Sequence, residues 1–291
     1  MTLIAITLAL IIERLIGSAH LIHNFSWLHH WAKFLEKRLP KNTPAALIFT
    51  TVVLPLLLLI YLLELYFGAY LWGLSGFILH VLVLSACLGP RLLDQDIDEY
   101  SRAREKNDRE KLIEAVKNIT GKAVPSSFNA EVREVAQGIF YQANIRWYAV
   151  IFWFLALGPM GAAAYRLTIL LRKDEYAAGD FSRKVYGLLG WVPARISALY
   201  FGFMGSLDDA WQAFQNSRKS HLSWAEGNQL VLSHTGCAAI NMEMSEAQES
   251  AQELTCPEAI KWVSRAKGLC LKVLVLWMAT VAVFTLFGWM V

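Results

Sequence analysis

Three consecutive residues, Pro193-Ala194-Arg195, head the run VPARISALYFGFMG and combine types suited to holding an anion. Proline is favoured at the first position of a helix, where its missing N–H costs nothing. The free N–H groups and the dipole of a helix start attract negative charge. An arginine beside them adds a planar fork of donors that matches phosphate or carboxylate. The pattern predicts a helix that begins at Pro193 and whose entrance binds an anionic metabolite or a lipid phosphate. The competing reading is an arginine that simply reaches out of the apolar layer to lipid head groups.

Other ionisable residues lie in or beside apolar runs, where they are costly. Glu13-Arg14 reads as an interface pair, Glu64 as a solvated residue at a hairpin turn, and His80 as a hydrogen-bonding partner of a neighbouring helix. The histidines of HLIHNFSWLHH (His20, His23, His29, His30) have no carboxylate at a supporting spacing and fit an interfacial helix better than a metal site. Asp94, Asp96 and Asp98 lack the rest of a calcium loop and read as a solvated helix start. Cys87, Cys237, Cys256 and Cys270 show no C-x-x-C spacing and read as packing thiols. No Walker loop, dinucleotide fingerprint, nucleophile elbow or H-E-x-x-H helix is present. The expectation is therefore no resident cofactor, no metal and no catalytic residue that can be named.

Membrane helices must position these groups. Of 291 residues, 56% are hydrophobic and 11 are tryptophan, and the mean hydropathy is +0.38. Apolar runs of about 18 residues or more are read as spans. A net charge of +3 is too small to argue for nucleic acid. The apolar N-terminus lacks a basic leader and a small-residue cleavage site, so it reads as a retained first helix. The fold class expected is all-α: a polytopic helical membrane protein with about four to six membrane helices, some broken or re-entrant.

The runs are Thr2 to Ile16, Pro44 to Tyr66 with Pro55 inside, Gly68 to Leu88, Trp147 to Tyr165 interrupted at Gly158-Pro159, Val192 to Gly205, and Leu271 to Trp289. Residues 1–291 form one membrane domain, with a helical cytoplasmic insertion at 89–146 and a second polar region at 206–267. Within the insertion, Leu93, Ile97, Tyr100, Leu112, Ile113 and Val116 are the apolar positions, and Asn107-Asp108 is a break and cap. Lys and Arg placement puts Gly17 to Asn42 and the 89–146 segment on the cytoplasmic side. Arg172 to Arg183 reads as a polar loop.

The start MTLIAITLALIIERL, the segment RWYAVIFWFLALGPMGAAAYRL and the segment LLGWVPARISAL carry a resemblance. Phe152-Trp153, Gly158-Pro159-Met160-Gly161, Tyr165-Arg166 and Pro193-Ala194-Arg195 follow, in order, the signature of the CobD/CbiB family of cobalamin-biosynthesis membrane proteins. Within it the chain resembles the AmpE type, associated with β-lactamase induction. The resemblance covers most of the chain and is strongest from about Glu131 to Gly205.

The biosynthetic members carry Glu-Asn-x-x-Asp where this chain has Tyr141-Gln142-Ala143-Asn144-Ile145. Their Arg-Asp pair falls near Gly121-Lys122, an asparagine at Gly190, and an Asn-Ala-Gly motif at Ala225-Glu226-Gly227. What the resemblance implies is a bacterial inner-membrane regulatory protein of cell-wall recycling, with a functional link to a cytosolic muropeptide amidase. It also implies a ligand site built from Arg195, Pro193, Ala194, Arg166, Tyr165, Trp153 and Gly158. The alternatives are a family-type membrane ligase acting on an amine or phosphate, and a small-molecule transporter suggested by the broken helices.

Overall fold

The computed structural model describes residues 2–16, 25–40, 42–68, 74–88, 93–218, 222–242 and 254–287. His20, His23 and Trp289 lie outside them. Described elements are helical throughout, as the composition requires of a chain whose backbone polar groups must be satisfied within each segment in lipid. In order they are α1 (Thr2–Ile16), α2 (Ser26–Arg38), α3 (Ala45–Gly68), α4 (Leu74–Cys87), α5 (Leu93–Glu105), α6 (Arg109–Thr120), α7 (Phe128–Ala143), a π-helical turn (Asn144–Tyr148), α8 (Ala149–Leu171), α9 (Gly179–Met204), α10 (Leu207–Ser217), α11 (Trp224–Ala239) and α12 (Cys256–Leu286). The contacts divide the chain into two compact units. One holds Met1–Pro90, Ala149–Trp191 and Ala279–Val291; the other holds Arg91–Tyr148 and Val192–Met278.

In the first unit α3 is apolar apart from Glu64 and two threonines, and Leu54, Leu58, Leu62 and Leu65 stand exposed on it. Such a surface suits lipid rather than water. Helix α1 turns the small faces of Ala5 and Ala9, with Ile6, inward, and it packs on α4. Glu13 is buried and Arg14 exposed, so the two do not share one environment as an interface pair. Helix α2 is amphipathic: Leu28 and Ala32 join a core with Val52, Val53, Leu167, Leu171 and Tyr176. Its polar side is tied to the 172–178 loop, since Lys33 Nζ donates to the Glu175 carbonyl and Glu36 accepts from the Ala177 N–H at 2.9 Å. Glu64 and His80 meet at 3.1 Å, so the carboxylate expected to be solvated has a ring partner from α4.

Helix α8 is two helices across a break. Leu157 (φ −135°, ψ 16°) and Gly158 (φ 65°, ψ −156°) leave the helical region just before Pro159, where the sequence predicts the interruption. Gly158 holds a conformation that essentially only glycine adopts. The bend brings Gly161 onto the backbone of Trp153, eight residues earlier. In a straight helix that separation is ~12 Å.

Ala45–Phe67 and Cys256–Leu286 are long and apolar enough to cross a membrane, and so is Phe128–Leu171, although the break at 157–158 divides it. Helix α4 is apolar but 14 residues long. The helix that carries the last apolar run begins at Cys256, 15 residues before Leu271.

In the second unit α5 and α6 are joined where Asn107 takes φ 53° and the Asp108 carboxylate caps α6 by accepting from the Lys111 N–H at 3.3 Å. The break read from the sequence is there. Helix α6 packs on α7, α7 on α11, and α11 on α10. Gly236 of α11 leaves room for the Phe140 ring, which meets Phe201 edge-on at 5.0 Å. Leu93, Ile97, Tyr100 and Val116 are buried as expected; Ile113 is exposed.

Two expectations are corrected here. Pro193 does not open a helix: it lies inside α9, which begins at Gly179, so Gly179 to Arg183 are helical and the loop ends before them. A proline inside a helix withholds one N–H and leaves the carbonyl four residues back without its usual donor. That carbonyl belongs to Leu189, and Trp153 Nε1–H donates to it at 3.1 Å, which offsets the lost bond. Trp153→Phe, which keeps an aromatic ring without the N–H, is expected to destabilise by about 1–3 kcal/mol, read as a lower midpoint in thermal unfolding. An unchanged midpoint would mean that the carbonyl finds another donor.

The second correction is Asp96. It is not part of a solvated helix start: it is 1% exposed and paired to Arg146 at 2.7 Å.

Candidate ligand-binding site

Among the expected site residues, Arg166 opens onto two cavities. It sits on the second half of α8, 5% exposed, with its guanidinium carbon 5.5 Å from the centre of the Phe25 ring at the start of α2. A cation held over an aromatic face keeps part of the attraction it loses on leaving water. Two cavities of the first unit share both residues. The polar one, about 340 Å³, adds His29, Lys173, Glu175 and Tyr176. The other, about 220 Å³, is apolar and adds Leu56, Leu59, Ile60, Val83, Ala86 and Cys87.

Within the polar cavity His29 Nδ1 lies 3.4 Å from the Tyr176 hydroxyl and 4.0 Å from Glu175, which also meets Lys173 at 3.6 Å. Burial first, then the Glu175 and Glu36 carboxylates, raises the Tyr176 phenol above its ordinary range, so it stays a neutral group that can donate. Arg166 and Lys173 against Glu175 leave the lining positive, and His29 adds to it when protonated.

The other expected residues of this unit lie within the helix packing. Tyr165 is fully buried with its ring 6.1 Å from Tyr186. Trp153 holds the Leu189 carbonyl, and Gly158 makes the bend.

In the second unit Pro193 and Ala194 are buried inside α9, and Arg195 is half-buried. An interior position offers no unpaired helix-start N–H groups, so the anion site predicted at that entrance is not formed there. The Arg195 guanidinium donates to the Asn228 side-chain oxygen on α11. Burial, and secondarily the charge of Arg218, pushes its pKa down to about 10. Two residues on, Ser197 Oγ donates to the Asn144 side chain at 3.1 Å, in the π-helical turn. Such turns often mark functional positions.

The buried carboxylates of this unit already have cations. Arg146 pairs with Asp96 and also donates to Gln142 and the Asn118 carbonyl, while Glu131 accepts from Arg104 and from the Tyr100 hydroxyl at 2.9 Å. Arg166 and Arg195 thus belong to different units, each with its own polar surroundings.

Sequence reasoning missed Asp96 although a signal was there. Leu93, Asp96, Ile97 and Tyr100 stand at i, i+3, i+4 and i+7, the spacing of one buried face. Phe25, Lys173 and Tyr176 carry no local signal, because tertiary packing alone brings them to Arg166.

The family model described as CobD/Cbib protein matches residues 6–246. The chain is 24% identical over 250 residues to the cobalamin biosynthesis protein CobD of Chromobacterium violaceum, an alignment covering 81% of this chain and 79% of that protein. No solved structure matches.

Proposed function

The chain belongs to the CobD/CbiB protein family of membrane proteins, and from that premise we propose that it is an AmpE-type regulatory protein of the bacterial inner membrane. It binds an anionic ligand and biases the β-lactamase induction and muropeptide recycling response, through the 89–146 segment on the cytoplasmic side. One observation carries the reading. At positions 141 and 145, where the biosynthetic members are acidic, this chain has Tyr141 and Ile145, while Arg166 and Arg195 are present. Metal-assisted ligation needs carboxylates to hold the ion and activate a nucleophile. Asp96 and Glu131, the buried acids of the second unit among the described residues, are engaged by Arg146 and Arg104.

The test is genetic. Deleting the gene in its host is expected to reduce β-lactamase induction by a β-lactam several-fold, with wild type restoring it and Arg166→Gln failing to. Unchanged induction in the deletion strain would overturn the regulatory role.

The second reading is a membrane ligase that joins an amine-bearing molecule to a cobinamide precursor. What favours it is the likeness to the Chromobacterium protein. Amide formation by the purified chain with a nucleoside triphosphate and Mg²⁺ would establish it in place of the first.

A further inference from the structure

We propose that the paired cavities at Arg166 form one site for a single-chain anionic amphiphile, with its phosphate or carboxylate on Arg166 and its hydrocarbon chain in the apolar slot. This rests on the reading of the chain as a binder of an anion and names the class of that ligand. The slot lies among α3, α4 and α8, helices that pack on one another, and is roofed by Phe25 and Trp27 at the start of α2.

Its lining is apolar apart from Arg166 and the Cys87 thiol, so nothing there orients a polar molecule. At 220 Å³ it is smaller than the ~300–1,000 Å³ pockets that enclose drug-sized ligands, and it suits a chain rather than a ring system. The 340 Å³ cavity is the opposite in character. Lys173, His29, Ser26 and the Tyr176 hydroxyl supply donors around the same guanidinium, against one acid, Glu175.

A soluble anion would use only the polar cavity, and a neutral lipid only the slot. Arg166 and Phe25 line both, so a molecule with one charged end and one chain fills the pair. An anionic head group on Arg166 would make charge-assisted hydrogen bonds with its guanidinium.

The experiment uses the full chain in nanodiscs of zwitterionic lipid and counts bound probe by native mass spectrometry. Dodecyl phosphate is expected to bind one per chain, at least ~10-fold tighter than butyl phosphate or inorganic phosphate. Arg166→Gln is expected to weaken it by ~10-fold or more, the loss of a hydrogen bond to a charged group, and Arg166→Lys to retain part of it. Val83→Phe, which fills the slot, should bring dodecyl phosphate down to the affinity of butyl phosphate.

If dodecyl and butyl phosphate bind equally and Arg166→Gln weakens both, the amphiphile is overturned and the anion reading stands. If no phosphate binds, or binding ignores Arg166→Gln, both are overturned.

Discussion

Asp96→Ala is expected to lower the stability of the protein by about 3–5 kcal/mol, the cost of leaving a buried charge without its partner. Asp96 is 1% exposed and its carboxylate lies 2.7 Å from the Arg146 guanidinium, which is itself buried. The bonds of Arg146 to Gln142 and to the Asn118 carbonyl go to neutral acceptors and do not replace a carboxylate. For a chain of this size the loss corresponds to about 6–20 °C in the thermal midpoint. Removing both charges should hurt less than removing one, because apolar replacement of a whole buried pair is often close to neutral. Asp96→Leu combined with Arg146→Met is therefore expected to unfold at a higher temperature than Asp96→Ala. A shift below about 2 °C for the single variant would show that water reaches the pair.

The second large effect is expected at the bend in α8. A Cβ on Gly161 would overlap the carbonyl oxygen of Trp153 and stand 2.7 Å from the Leu157 Cβ. Both obstacles are backbone or backbone-fixed atoms, so no side chain can rotate aside. Gly161→Ala must open the bend, and the second half of α8 carries Arg166. Gly158→Ala meets no atom within 4 Å, and its penalty is conformational: φ 65° with ψ −156° costs a residue with a side chain about 1–3 kcal/mol. Gly161→Ala should be the more damaging of the two, read as a lower thermal midpoint and a smaller monodisperse fraction in size-exclusion chromatography. Equal effects would mean that strain at residue 158 alone governs the bend.

Much of this architecture is written locally. The unbroken apolar stretch of α3, the Asn107-Asp108 break and the Gly158-Pro159 interruption each follow from a few adjacent residues, and the structure has each of them. The family signature likewise lies in short segments. What failed were inferences that depend on distant partners. Proline's preference for a first helical position predicts a helix start at Pro193, yet one missing bond does not outweigh the helix that precedes it. The compensating donor, Trp153, is 40 residues away in the sequence. The preference of acids for helix starts predicts a solvated Asp96, while the arginine that holds it inside is 50 residues downstream. The Arg166 cavity draws on α2, α3, α4, α8 and the 172–178 loop, and no stretch of sequence announces that meeting.

The bond from Trp153 to Leu189 makes the worth of one side chain conditional on another. With alanine at 193, the helix ladder could supply its own donor to the Leu189 carbonyl, and the indole would become one of two competitors for it. The penalty for Trp153→Phe should shrink in that background, so the two positions form a non-additive pair. Substitution tolerance at 153 is thus set by the identity of a residue on another helix.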